Sequence, residues 1–258
     1  TLLRSQKQVD IQDKTYLVDT CGTGGDGIQT FNVSTLSAIV AASAGVKVAK
    51  HGGRSVSSKC GSADVLEALD VNVNLTPEKV ASLVNDIGIA FMFAPNFHPA
   101  MRYAAPVRKK LGVRTIFNVL GPLANPASAT HQVLGVYEAS LTETMAKVLS
   151  KLGSEHVMVV HGEDGMDEIS ISSATRVSEL KNKSITTYAI KPNDFGLDMA
   201  DLKAIQVENA DASKAMMLDV LKGAKGPHRD ITLLNAGAAI YVSGLTPTLK
   251  DGIEKAAS

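Results

Sequence analysis

Residues 20–35 read TCGTGGDGIQTFNVST. The stretch before them, TYLVDT (15–20), has the character of a short strand, and an apolar helix is expected from about Val33 to Ala44. A strand that passes through a glycine loop into a helix is the repeating unit of α/β proteins. Gly22, Gly24, Gly25 and Gly27 can all take positive φ and turn amide N–H groups outward. Asn32, Ser34 and Thr35 stand at the expected helix start, where hydroxyls, amides and the helix dipole favour an anion. The loop lacks the GK-Ser/Thr ending of a P-loop, and no suitably placed acid ends the following strand, as the dinucleotide fingerprint requires. Asp26 is out of place at a bare phosphate site and makes sense beside a cation or a sugar hydroxyl. The plain alternative is a capped strand–helix turn.

Working outward, the same alternation repeats. VKVAK (46–50), IAFMF (89–93), VLGVY (133–137) and VMVVH (157–161) read as apolar strands. Helices are expected at 63–69, from Thr76 with Pro77 at its first position, at 99–111, and at 141–152. Short Ser/Thr-rich strands are expected within 170–190, and helices at 208–222, 229–242 and 247–256. Apolar strands separated by helices predict an α/β fold with a largely parallel central sheet and helices on both faces. Residues 76–111 are expected to form part of a helical subdomain, with 1–75 and 112–258 forming the α/β domain. Val80, Leu83, Val84, Met101 and Val107 are expected to leave an apolar surface on that subdomain. Ligands of such sheets gather at the carboxyl ends of the strands, where the glycine loop, the loop after Lys50 and the loop after Val160 all fall.

Composition narrows the function. The 258 residues are 45% hydrophobic, enough for a sizeable core, and Lys+Arg and Asp+Glu both number 26. That zero balance disfavours a nucleic-acid partner. Aromatic residues are 4% and Trp is absent, which disfavours base-stacking platforms. The two cysteines, Cys21 and Cys60, have neither CxxC spacing nor the numbers of a disulfide scaffold. A reducing cytoplasm suits them. No apolar run is long enough for a membrane helix.

Two further loops carry charge. KHGGRSVSSKCGSAD (50–64) sets Lys50, His51, Arg54 and Lys59 among glycines and serines, a composition suited to a polyanionic phosphate or to a solvated basic loop. HGEDGMDEISISS (161–173) holds Glu163, Asp164, Asp167 and Glu168 after an apolar strand. Carboxylates clustered there would recruit Mg²⁺, which takes its remaining oxygens from water and substrate phosphates; otherwise they form an acidic turn facing water. Together, the basic and acidic loops at one sheet edge describe a Mg²⁺–phosphate substrate.

Four stretches in one order, DTCGTGGDGIQTFNVST, KHGGRSVSSKCGSADVLEALD, FAPNFHPAMRYAAPVRKKLGVRTIFNVLGPLANPA and VVHGEDGMDEIS, resemble the anthranilate phosphoribosyltransferase family. The resemblance covers about Leu17 to Leu245. It implies a pentosyltransferase of tryptophan biosynthesis, moving phosphoribose from phosphoribosyl diphosphate (PRPP) to the amine of anthranilate. On this resemblance Gly22, Thr23, Gly24, Gly25 and Asp26 hold the diphosphate, with Asn32, Ser34, Thr35, Lys50 and Ser62 around PRPP. Ser34, Asp167 and Glu168 hold Mg²⁺, two ions in all, and Arg108 meets the anthranilate carboxylate. Gly22, Gly53, His98 and Gly121 complete the acceptor side, and the flat ring would pack near Phe93, Ala94, Pro95 and Pro122.

No covalent nucleophile is implied. Gly53 departs from the family's KHGNR loop, where Asn stands. The leading helices that the family uses for its helical domain and homodimer are expected to be missing. The rival readings are a pyrimidine nucleoside phosphorylase on the same fold, and a non-catalytic paralogue that binds nucleic acid.

Overall fold

The computed structural model describes residues 5–54, 60–104, 110 and 115–258. Seven strands form one sheet in the order β3-β2-β1-β4-β5-β6-β7. The strands are β1 (Leu17–Gly22), β2 (Lys47–Gly52), β3 (Ile89–Phe93), β4 (His131–Gly135), β5 (His156–Gly162), β6 (Thr175–Lys181) and β7 (Ser184–Ile190). Strands β1 to β5 are mutually parallel, with Asp19 opposite Gln132 and Lys50 opposite Phe91. The β6–β7 hairpin then runs antiparallel. The predicted largely parallel sheet is therefore present, with an antiparallel edge.

Alternation along the parallel strands sends neighbouring residues to opposite faces. Val133 and Met158 face a core shared with α1 (Val33–Ser43) and the later helix Pro227–Val242, whose residues 231–242 are all buried. Leu134 and Val157 face the other side, where Met145 and Leu149 of helix Leu141–Lys151 cover them. Further along that side, Ala49 and Met92 meet Val80 and Val84 of helix Pro77–Ile87. Both faces are thus covered, which lets the central strands turn apolar side chains to both sides, with Asp19, Lys50 and Gln132 as buried exceptions.

Helix Pro77–Ile87 starts as its sequence predicts. Thr76 accepts the Lys79 N–H, Pro77 takes the first position, and Gly88 closes the helix at φ +78°. The apolar surface expected on this helix is largely filled. Val80 and Val84 are fully buried, and Val9, Ile11 and Phe97 pack into the same cluster. The leading segment is held there by Lys7 N–H to the Phe97 carbonyl and Val9 N–H to the Pro126 carbonyl, both 2.9 Å. Only Ile87, at the helix end, remains widely exposed on it. Within 76–111, β3 belongs to the sheet, so only the helical parts of that stretch stand outside it. Residues 101–104 are helical as expected, whereas Val107 and the rest of that helix lie outside the described residues.

Candidate active site

The carboxyl ends of the parallel strands open on one cleft of about 330 Å³. Its walls combine the glycine loop, the start of α1, the Lys50–Arg54 stretch, Cys60 to Ser62, Ala94, residues 117–122 in part, and Asp167 with Glu168. Three loops far apart in sequence therefore meet where an α/β sheet places its ligands.

The meeting needs glycine at specific points. A Cβ on Gly22 would stand 2.5 Å from Asp167 Oδ2, and one on Gly135 would overlap the Asp167 backbone. These two strand ends let the acidic loop lie directly over the sheet edge. Gly24, Gly25 and Gly27 take φ of +64°, +80° and +77°, the left-handed turn anticipated for this loop.

The charges interlock. Asp167 Oδ2 accepts the Gly24 N–H at 2.8 Å, and Glu168 accepts the Ser34 N–H. Asn32 caps α1 by accepting the Thr35 N–H at 3.2 Å, and the Ser62 hydroxyl donates to the same Asn32 oxygen at 3.4 Å. Lys50 is 2% exposed; its ammonium donates to the Thr20 carbonyl at 2.5 Å and to Ser34 Oγ at 3.0 Å. Thr23 is fixed by its N–H on the Gly135 carbonyl, while its hydroxyl accepts the Tyr137 N–H.

The N-terminal amides of α1 were expected to await an anion. Instead the Val33 N–H serves the Phe31 carbonyl, Ser34 serves Glu168, and Thr35 serves Asn32. A protein carboxylate thus sits where the helix dipole favours negative charge.

One lysine faces an excess of carboxylates. Burial and then the Asp167 charge push Asp26 up to about 7. Burial likewise raises Asp167 and, helped by Asp167, raises Glu168 well above the usual carboxylate range. Lys50 is pulled down by burial, and the carboxylates of Asp19, Asp167 and Glu168 oppose that drop. Such a cluster gains from a divalent cation, which favours the ionised form of each group. Among the described residues no three His, Cys, Asp or Glu side chains converge into a closed metal cage. Asp167, Glu168 and the Ser34 hydroxyl, which line the cleft, are hard oxygen donors of the kind Mg²⁺ takes beside water and phosphate oxygens.

The expected cationic loop takes a different form. Lys50 and His51 lie inside β2, and Arg54 is turned toward helix Ser62–Ala68, pairing with Glu67 at 2.5 Å and Asp64 at 3.2 Å. Its guanidinium lies 5.5 Å from the centre of the Phe93 ring. Lys59 lies outside the described residues. Arg54 thus lines the cleft while paired with two carboxylates, a pattern visible in sequence only once helix 62–68 is placed.

Of the residues expected around PRPP, Gly22 to Asp26, Asn32, Ser34, Lys50 and Ser62 line the cleft. Thr35 stands behind the wall, 2% exposed, with its hydroxyl buried and unpartnered. On the acceptor side Gly22, Gly53, Gly121, Ala94 and Pro122 line the cleft, whereas Phe93 and Pro95 do not. His98 stands one layer back, its Nε2 3.1 Å from Nε2 of His51, which does line the wall. Burial first, then His98 and Lys50, lowers His51 to about 3, so this part of the wall presents a neutral imidazole. Arg108 lies outside the described residues. Phe117 and Asn118 also line the cleft. They were not singled out from sequence, although they stand in the same FNVLGPLANPA run as Gly121.

A parallel sheet whose carboxyl edge joins a glycine loop, a buried lysine and three carboxylates is an α/β domain with a charged ligand site. Accordingly, residues 14–258 match the model of the glycosyl transferase family, a/b domain. The anthranilate phosphoribosyltransferase of Methylobacillus flagellatus is 60% identical over 250 residues, covering 97% of this chain and 73% of the relative. That of Nitrosomonas europaea is 57% identical over 249 residues, covering 96% and 73%. Among solved structures, the Thermus thermophilus enzyme superposes with a TM-score of 0.92 at 44% identity, over 99% of this chain and 76% of that one. The Saccharomyces cerevisiae enzyme, solved in complex with PRPP and Mg, gives 0.89 at 33% identity, over 99% and 72%. The chain belongs to the anthranilate phosphoribosyltransferase family.

Proposed function

We propose that the cleft holds PRPP on its glycine-loop side and anthranilate on the side of Gly53 and residues 117–122. The chain is a pentosyltransferase: it transfers phosphoribose from PRPP to the amine of anthranilate, giving N-(5-phosphoribosyl)anthranilate and diphosphate, in tryptophan biosynthesis. The observation that carries the site reading is the charge cluster, in which Asp167 and Glu168 stand between one buried lysine and Asp26 beside a left-handed glycine loop.

Ser34, Asp167 and Glu168 would hold Mg²⁺, with two ions as the finer reading, and Mg²⁺ when bound stabilises the negative charge of the departing diphosphate. Lys50 adds fixed positive charge at the same edge without reorganising. The Gly24, Gly25 and Gly27 turn brings backbone close to the diphosphate, and Asn32 and Ser62 orient the sugar-phosphate end. The anthranilate amine attacks the anomeric carbon as the diphosphate leaves, and holding both reactants in line does most of the work. Arg108 would pair with the anthranilate carboxylate. His98 would act through His51.

The site is built for small molecules, and we propose no nucleic-acid partner. No helix among the described residues is long and apolar enough to cross a membrane. A cytoplasmic location suits two free, buried cysteines. A homodimer is the family arrangement that we carry over as a proposal. So is the division into an α/β domain (1–75 and 112–258) and a helical part within 76–111.

The test is the double variant Asp167→Asn with Glu168→Gln. Both replacements keep an oxygen to accept the Gly24 and Ser34 amides. The protein should stay folded, with metal-free thermal stability equal to or slightly above wild type because like-charge repulsion is gone. Turnover across a Mg²⁺ titration should fall at least 100-fold. Near-normal turnover at ordinary Mg²⁺ would remove the metal role from this pair.

A further inference from the structure

The acceptor wall at residues 117–123 is one α turn followed by one 3-10 turn, and neither pairs with the sheet. Val119 and Leu123 pack it on the sheet core and His51 hydrogen-bonds the Gly121 backbone; a further polar tie comes from β4. Gln132, the second residue of β4 and 4% exposed, donates through Nε2 to the Pro122 carbonyl at 2.8 Å. The same nitrogen lies 3.2 Å from Cys21 Sγ and 3.4 Å from Asp19 Oδ2. The other Asp19 oxygen accepts the His51 N–H at 3.0 Å. Asn125, just past the wall, adds a second tie by donating to the Ala49 carbonyl at 2.9 Å.

A valine at position 132 would satisfy a parallel strand covered on both faces. A buried amide there costs free energy unless its hydrogen bonds are used. Here its donor is shared between Cys21 and Asp19 inside the sheet and, at the shortest distance, the Pro122 carbonyl outside it, next to Gly121. Gln132 itself does not line the cleft.

We propose that Gln132 is a positioning residue for the acceptor. From behind the wall it sets where Gly121 and Pro122 stand, and so how well anthranilate fits, while leaving PRPP alone. The inference rests on the reading that residues 117–122 border anthranilate. A displacement of about 1 Å in such a wall can cost roughly 100-fold in rate.

Gln132→Met keeps length and volume but removes the donor. Its KM for anthranilate should rise about tenfold or more, with the KM for PRPP within twofold of wild type. Direct anthranilate binding, followed by ligand fluorescence on PRPP-saturated protein, should weaken by the same factor. Gln132→Asn keeps a buried amide one methylene too short to reach Pro122, and reads the same quantities should the methionine form fail to fold.

Gly121→Val tests the underlying reading separately. A Cβ at Gly121, which lines the cleft, meets no atom of the described residues within 4 Å, so a side chain there is added without displacing its described neighbours. A rise in acceptor KM for both Gly121→Val and Gln132→Met supports the proposal. A rise for Gly121→Val alone overturns it and leaves the acceptor wall in place. Equal losses for both substrates in Gln132→Met, or a lowered melting temperature with unchanged KM values, also overturn it. No effect from Gly121→Val removes the acceptor reading and the proposal together.

Discussion

Replacing Lys50 with Met removes the one buried cation of the site among the described residues while keeping the shape of its stem. The ammonium makes two hydrogen bonds, to the Thr20 carbonyl and to Ser34 Oγ. Asp19, Asp167 and Glu168 all act on it. Breaking a buried charge arrangement from one side costs about 3–5 kcal/mol, most of it from the charges left uncompensated. Those carboxyls can escape by taking up protons. Burial already holds Asp26 at about 7, and raises Asp19, Asp167 and Glu168, so they bind protons more readily folded than unfolded. Groups raised in this way weaken the fold as pH climbs above their unfolded values and stop doing so once protonated.

Loss of Lys50 raises them further. The penalty of Lys50→Met should therefore be largest near pH 8 and shrink on acidification. One extra proton bound by the folded variant corresponds to about 1.4 kcal/mol per pH unit, or roughly 2.7 kcal/mol between pH 8 and pH 6. Urea unfolding followed by far-UV circular dichroism suits a chain without Trp. Wild type and variant should differ by about 3–5 kcal/mol at pH 8 and by about half of that or less at pH 6. A difference that stays within about 0.5 kcal/mol across this range would refute the view that Lys50 balances these carboxylates.

Two further predictions concern the scaffold. Burial alone would raise Glu179, but hydrogen bonds from His156, Tyr188 and Tyr241 hold it down at about 2. Its stabilising effect is therefore present above about pH 4.5 and lost as pH falls toward 2, so Glu179→Gln should cost about 1.5–3 kcal/mol at pH 7 after allowing for its partial exposure and much less near pH 2.5, as read by chemical unfolding. A penalty independent of pH would mean that the network does not depend on the Glu179 charge. Gly135→Ala would drive a methyl group into the Asp167 backbone. It should lower stability by about 3 kcal/mol or more and displace the acidic loop, so a thermal melt matching wild type would contradict the close approach of β4 to that loop.

Strong local signals made much of the fold legible. IAFMF is β3 at both ends, and Thr76–Pro77 starts its helix as written. Strand β1 begins two residues later than TYLVDT suggests, because Tyr16 takes a turn with φ +58°. The short helices at 117–123 carry no periodicity long enough to read. Burial of Val80 and Val84 depends on Val9 and Ile11 returning from the start of the chain, a long-range contact that local patterning does not encode.

At the site, the glycine loop and the acidic pair were legible as residue types. That Glu168 would take the Ser34 amide and that helix 62–68 would take Arg54 were not, because both depend on which loops meet in space. Gln132 and Asp19 escaped notice for a related reason: a polar residue inside an apolar strand shows its purpose only when its partner is placed beside it.

The most direct test of the central claim uses the fluorescence of anthranilate, which falls as the acceptor is consumed. The protein is given anthranilate, PRPP and Mg²⁺, then each is withheld in turn, and a parallel reaction supplies phosphate and a pyrimidine nucleoside instead. The account predicts loss of anthranilate with release of diphosphate only when PRPP and Mg²⁺ are both present, and no nucleoside cleavage. Phosphate-dependent cleavage of the nucleoside without PRPP-dependent consumption of anthranilate would contradict it.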